Sequence, residues 1–159
     1  MKITVACVGK IKEKFFASAI EEYSKRLGRY VSLEICQVND EKAPENMSQA
    51  EEIRVKEIEG ERLLKVIKDT SFVVALAIDG KKLTSESFAA FFQQNMLKGI
   101  SHITFVIGGS LGLSKDVLDR AEYKLSFSDM TFPHQLMRVI LLEQIYRANR
   151  IIKNEPYHK

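Results

Sequence analysis

Cysteine is scarce in this chain of 159 residues, with only Cys7 and Cys36 present. They lie far apart in apolar, strand-like runs, which reads as buried free thiols in a reducing compartment. No apolar stretch reaches the length of a bilayer span, which excludes a membrane-spanning helical protein. The start "MKITVACVGK" has an early lysine and a short apolar run but no small-residue cleavage site, so a first strand is expected rather than a signal peptide, and a cytoplasmic protein with it. Neither sign of charge dominates. Against 24 Lys and Arg stand 21 Asp and Glu, a net +3, which neither demands nor excludes a nucleic-acid partner because local patches outweigh the sum. The three histidines, His102, His134 and His158, share no metal-ligand spacing with each other or with the cysteines, so no metal is expected. No Ser-His-Asp or Cys-His set is readable from spacing. Internal repeats, linkers and low-complexity segments are missing too, which points to a single domain over 1–159.

What is present alternates. Strand patterns at 3–9, 32–38, 72–78, 103–107 and 123–128 are separated by helical patterns at 12–28, about 48–68, 85–99, 114–121 and 133–152. Phe16, Ala19, Ile20, Tyr23 and Leu27 recur at helical spacing before Gly28. Ser48 and Glu51 have the spacing of a capping box. Pro133 suits a first helical turn. The runs "FVVALAI" and "ITFVI" are nearly continuous in apolar residues, as in strands buried on both faces. The expected fold is α/β, a mostly parallel sheet with helices on both faces. Ligands of such sheets bind beyond the carboxyl ends of the strands, which directs attention to three loops, 76–82, 107–114 and 125–135.

The middle loop, "IGGSLGLS", is rich in glycine but has neither the G-x-x-x-x-G-K-[ST] spacing of a phosphate loop nor the G-x-G-x-x-G of a dinucleotide fold. Asp129 stands where a ribose-binding acid would be counted from Gly108, but the loop follows the fourth strand and not the first. From the residues alone the loop is either a ligand cradle or a plain strand-to-helix turn. His134 reads equally as a polar cap. The last helix carries Leu136, Met137, Val139, Ile140, Leu141, Leu142, Ile145 and Tyr146 on more than one face, so it is buried within its own core or against a second subunit. From Pro133 onward Arg138, Arg147, Arg150, Lys153 and Lys159 meet only Glu143 and Glu155. That imbalance fits a solvated face or a polyanionic substrate.

The loop "IGGSLGLS" and the segment "LSFSDMTFPHQLMRVILLEQIYRANRIIKNEPYHK", with the start "MKITVACVGK" and the loop "DEKAPENM", resemble the ribosomal RNA large-subunit methyltransferase H family. The resemblance covers the whole chain. One departure is Asn154, where many members have glycine, and it bears on the turn before Glu155 and Pro156. The resemblance implies a SPOUT fold whose C-terminal segment forms a trefoil knot, with S-adenosylmethionine bound bent within it. It implies N3 methylation of the pseudouridine at position 1915 of 23S rRNA, in helix 69 of the assembled 70S ribosome, by a homodimer. On this resemblance, backbone groups of Leu76, Gly108, Phe127, Ser128, Asp129, Met130, Thr131 and Phe132 hold the cofactor. Gly109 then lets the main chain approach it, and Leu76, Leu125 and Phe132 sandwich the adenine. His158 and His134 become the candidate bases for the imide proton, Arg138 the support for negative charge on a uracil oxygen, and Tyr157 a stacking or hydrogen-bonding partner of the base. The rival readings are a non-catalytic ribosome-binding factor, a knot-class methyltransferase acting on another RNA, and an unrelated nucleotide-binding domain.

Overall fold

Alternation along the first strand sets up two cores. In the computed structural model, which describes all of residues 1–159, β1 (Lys2–Val8) turns Ile3, Val5 and Cys7 to one face and Ala6 and Val8 to the other. It lies between β2 (Ser32–Val38) and β4 (His102–Ile107), and β3 (Phe72–Lys82) and β5 (Tyr123–Ser126) complete a five-stranded sheet of order β2-β1-β4-β3-β5. All pairings are parallel, and Ile35, Val5, Phe105, Val74 and Tyr123 form one row across the sheet.

Three helices cover the first face: α1 (Lys14–Leu27), α3 (Ser85–Leu97) and α5 (His134–Ile152). They bring Leu27, Phe88, Phe92, Leu141, Leu142 and Ile145 onto Ile3, Val5 and Phe105. Each such side chain buried from water contributes about 1.5–3 kcal/mol. On the other face, α2 (Gln49–Val66) and α4 (Lys115–Arg120) supply Leu63 and Val117 to a smaller core with Val73 and Val106. The capping box forms at the start of α2, where Ser48 Oγ accepts from Glu51 N at 3.2 Å and Ser48 N donates to Glu51 Oε2 at 2.7 Å. No helix is long and apolar enough to cross a membrane.

Several boundaries differ from expectation. Helix α2 ends at Val66 and not near Lys68, because Ile67 adopts an extended ψ of 123°. Cys7 is buried, and burial pushes its thiol up to about 11, but Cys36 is only half-buried because β2 is an edge strand; both thiols are free. Within one chain α5 is flanked by α1 and α3, which already covers Arg138, Leu141, Leu142, Ile145 and Ala148. It ends in a Schellman turn, with Glu155 N bonded to Arg150 O and Asn154 N to Ile151 O. Asn154 sits there at φ 52°, the left-handed region in which glycine is the easiest residue. That accounts for the one departure noted in the sequence.

The largest surprise is β3, which continues to Lys82. Leu125 of β5 pairs with both Leu76 and Lys81, so residues 77–80 leave the ladder and return to it. At Gly80 an added Cβ would stand 2.7–2.9 Å from backbone atoms of Lys124 and Leu125. A continuous apolar run identifies a buried strand but carries no signal for a strand end that doubles back on its neighbour.

Candidate functional site

Beyond the carboxyl ends of β3, β4 and β5 the three loops singled out in the sequence converge on one cavity of about 630 Å³. Leu76, Ala77 and Ile78 line it from the first, Ile107 to Gly112 from the second, and Leu125 to Ser128 with Met130 to Met137 supply residues from the third. The glycine loop is a tight turn in which Gly112 N donates to Gly109 O at 3.1 Å and Gly112 has φ +89°. An added Cβ at Gly108 would lie 2.7 Å from the Gly112 carbonyl group, so no larger residue fits this turn as it stands. Ser114 closes the loop by capping α4 at Val117 N. The wall is mostly apolar and the glycines leave main-chain polar groups accessible, a combination suited to a flat heterocycle on a short polar tail.

His134 stands at the cavity and Arg138 lies one turn behind it. Burial, reinforced by the Arg138 charge, holds the His134 imidazole below its ordinary value. Arg138 is only 1% exposed. Its Nη2 donates to the carbonyls of Val8 at 2.7 Å and Gly9 at 2.8 Å, and its Nη1 to Gln37 Oε1 at 3.2 Å. No carboxylate is bonded to it, and Nε is buried without a partner. The guanidinium therefore ties the end of β1 to α5 and lies 3.4 Å from His134 Nδ1. No cluster of three or more His, Cys, Asp or Glu side chains is placed to hold a metal ion.

The chain matches the family model "Predicted SPOUT methyltransferase" over residues 1–158. It belongs to the SPOUT methyltransferase family. Proteins named ribosomal RNA large subunit methyltransferase H from Clostridium perfringens, Clostridium beijerinckii and Clostridium botulinum are 58%, 60% and 61% identical to it, each over 100% of both chains. A solved protein from Legionella pneumophila, described as a methyltransferase in complex with SAM, shares the fold at a TM-score of 0.50 and 11% identity. That likeness covers 93% of this chain and 66% of the other.

In this SPOUT chain the expected site residues separate into two groups. Leu76, Gly108, Gly109, Leu125, Phe127, Ser128, Met130, Thr131, Phe132 and His134 all line the cavity. Asp129 does not; its carboxylate turns outward to Lys82 Nζ at 2.5 Å. Tyr157 and His158 are not on the cavity wall either. The Tyr157 hydroxyl donates to Glu143 Oε1 at 3.1 Å, with the Arg147 guanidinium 4.7 Å from its ring centre. Burial and the Glu143 contact push its phenol up to about 12. His158 Nε2 meets Glu86 Oε1 at 2.8 Å, and Nδ1 faces Arg147 Nη1 at 3.3 Å. Arg147 has no acceptor and Glu86 as a carboxylate has no proton, so the neutral ring carries its proton on Nε2.

Sequence reasoning overlooked Glu59. It is 5% exposed on the inner face of α2. Burial raises its carboxyl above the ordinary range. The available signal was an acid four residues from both Val55 and Leu63, inside the buried stripe of the helix.

Proposed function

We propose that this SPOUT protein methylates N3 of the helix 69 pseudouridine in 23S rRNA, using S-adenosylmethionine, as a cytoplasmic homodimer acting on the assembled 70S ribosome. The observation that carries this reading is the single cavity where three loops meet beyond the sheet, in a chain that matches the rRNA methyltransferase H relatives along its whole length. Gly108 and Gly109 keep its wall free of side chains, and Leu76, Leu125 and Phe132 offer apolar faces for an adenine. The trefoil knot expected of the family is part of this reading.

S-adenosylmethionine supplies an electrophilic methyl group, and the protein's task is to orient the acceptor and remove its proton. In the net reaction the N3–C bond forms, the S–C bond breaks with its electron pair staying on sulfur, and the imide proton passes to a base. His158 is the base in this reading. Its Nδ1 carries the free lone pair once Arg147 yields, and Glu86 accepting from Nε2–H holds the ring in that tautomer and orientation. Tyr157 stacks on the uracil. Arg138 is too deeply buried to meet the substrate and acts through His134 and the end of β1. Because Glu86 and Glu143 hold the tail on its own α3 and α5, we assign its action to the cavity of the second subunit.

Transfer of labelled methyl groups to ribosomes lacking this modification tests the reading, with isolated 50S subunits and naked 23S rRNA in parallel. Label at one helix 69 pseudouridine, mainly in 70S particles, is the expected result. Cofactor binding with no transfer to any of the three would move the substrate to another RNA. Absence of both would overturn the enzymatic reading.

A further inference from the structure

Glu59 is a buried acid that no step above uses. Its Oε1 accepts from Glu41 N at 3.1 Å, but its Oε2 is buried without any partner. The carboxylate lies directly behind the glycine loop: an added Cβ at Gly109 would stand 2.9 Å from Oε2. Gly109 itself lines the cavity on its other side. Only one layer of backbone, with no side chain, therefore separates an unpaired buried carboxyl from the cavity. An acid in such a place destabilises the fold, since no cation repays its lost hydration. Next to it, Gly60 lets the helix pack closely on Ser114, where an added Cβ would stand 2.2 Å from Ser114 Oγ, and this close approach brings the acid up behind the loop.

We propose that Glu59 is an electrostatic positioning residue of the cavity, whose carboxylate behind Gly109 favours a cationic ligand over its neutral counterpart. This rests on the cofactor reading above. S-adenosylmethionine has a sulfonium charge that S-adenosylhomocysteine, the product, lacks. A carboxylate in a poorly screened site distinguishes the two across one backbone layer without touching either. It thereby retains the substrate form and releases the product form.

The charges around Glu59 are few. Asp40 and Glu41 from the 39–46 loop oppose its ionisation, and Arg62, one turn along α2, favours it. Arg62 is itself engaged by Glu41 Oε2 at 2.7 Å and the Asn39 carbonyl at 3.0 Å. The glycine loop contributes no charged side chain. Because burial raises the carboxyl above its usual range, Glu59 is neutral at low pH and becomes charged as pH rises through that raised value. The preference for the cationic ligand must therefore grow with pH. His134 loses its proton over rising pH as well, so part of any slope belongs to it.

The test is calorimetric titration of the full-length protein with S-adenosylmethionine and with S-adenosylhomocysteine between acid and mildly alkaline pH, for wild type and Glu59→Gln. Expected are a preference that rises with pH in wild type and a loss of about fivefold or more of that preference in Glu59→Gln, with a flattened profile and an undiminished thermal midpoint. A purely structural role would lower the midpoint and weaken both ligands alike, which would overturn the proposal. Equal preference in the two proteins would do the same. If Glu59→Gln does not fold, the profile of His134→Gln decides, since it removes the histidine's share of the slope: a preference that still rises with pH supports the carboxylate's part, and a flat one refutes it. Binding of neither ligand by wild type would remove the cofactor reading and this inference with it, an outcome distinct from binding without discrimination.

Discussion

Replacing Gly80 by alanine tests whether the return of β3 onto β5 governs the cavity. The added methyl would lie 2.7 Å from the Leu125 carbonyl carbon and 2.8 Å from that of Lys124, and both belong to a strand fixed by its own ladder. Gly80 is not in the left-handed region, so the cost is steric rather than torsional. Overpacking of this kind costs about 1–3 kcal/mol. For a chain of this size about 2 kcal/mol corresponds to a fall of about 4–8 °C in the unfolding midpoint. Leu76 and Leu125 line the cavity on either side of the strained segment, so cofactor affinity should fall as well. Gly28→Ala is the control: Gly28 is helical at φ −56° and its Cβ would make only ordinary contacts at 3.4 Å or more. That variant should stay within about 0.5 kcal/mol of wild type. Calorimetric melts at one fixed protein concentration, followed by titration with S-adenosylmethionine, give both readouts. A Gly80→Ala protein that melts with the Gly28→Ala control would refute the reasoning, because β5 would then be free to move aside.

Three further outcomes are expected. Arg138→Met strands the carbonyls of Val8 and Gly9, and should cost about 2–4 kcal/mol by urea denaturation; it should also raise the His134 pKa, read by NMR titration, since Arg138 helps hold that value down. An unchanged His134 titration would contradict the assigned contact. Asn154→Gly relaxes a left-handed residue at the end of α5 and should stabilise the protein by about 0.5–1 kcal/mol, with a lower midpoint counting against the Schellman reading. His158→Ala should reduce turnover with cofactor affinity nearly unchanged. Mixed with a cavity-defective Gly108 variant, it should regain about a quarter of wild-type activity through heterodimers, whereas no recovery would place the tail in its own subunit's cavity.

The alternating strand and helix patterns were enough to define the parallel sheet, because residues buried on both faces of a strand must be apolar wherever the strand lies. The carboxyl-end rule then singled out the three loops, and Gly108 and Gly109 marked the one that needs an open backbone. The capping box at Ser48 and Glu51 was legible for a similar reason, since both partners lie within one helical turn. Contacts between distant segments left no such trace. Nothing local in "LAIDGKK" announces that Gly80 must admit the β5 backbone. The basic character of the last helix did not reveal that Arg138 points inward to two carbonyls of β1, and nothing local to Tyr157 and His158 announced that Glu143 and Glu86 stand beside them. Glu59 makes the contrast plainest. The sequence determined that an acid interrupts the apolar stripe of α2, but only the packing of that helix behind Gly109 decided that its charge faces a cavity, because burial and proximity arise from the whole fold rather than from neighbours along the chain.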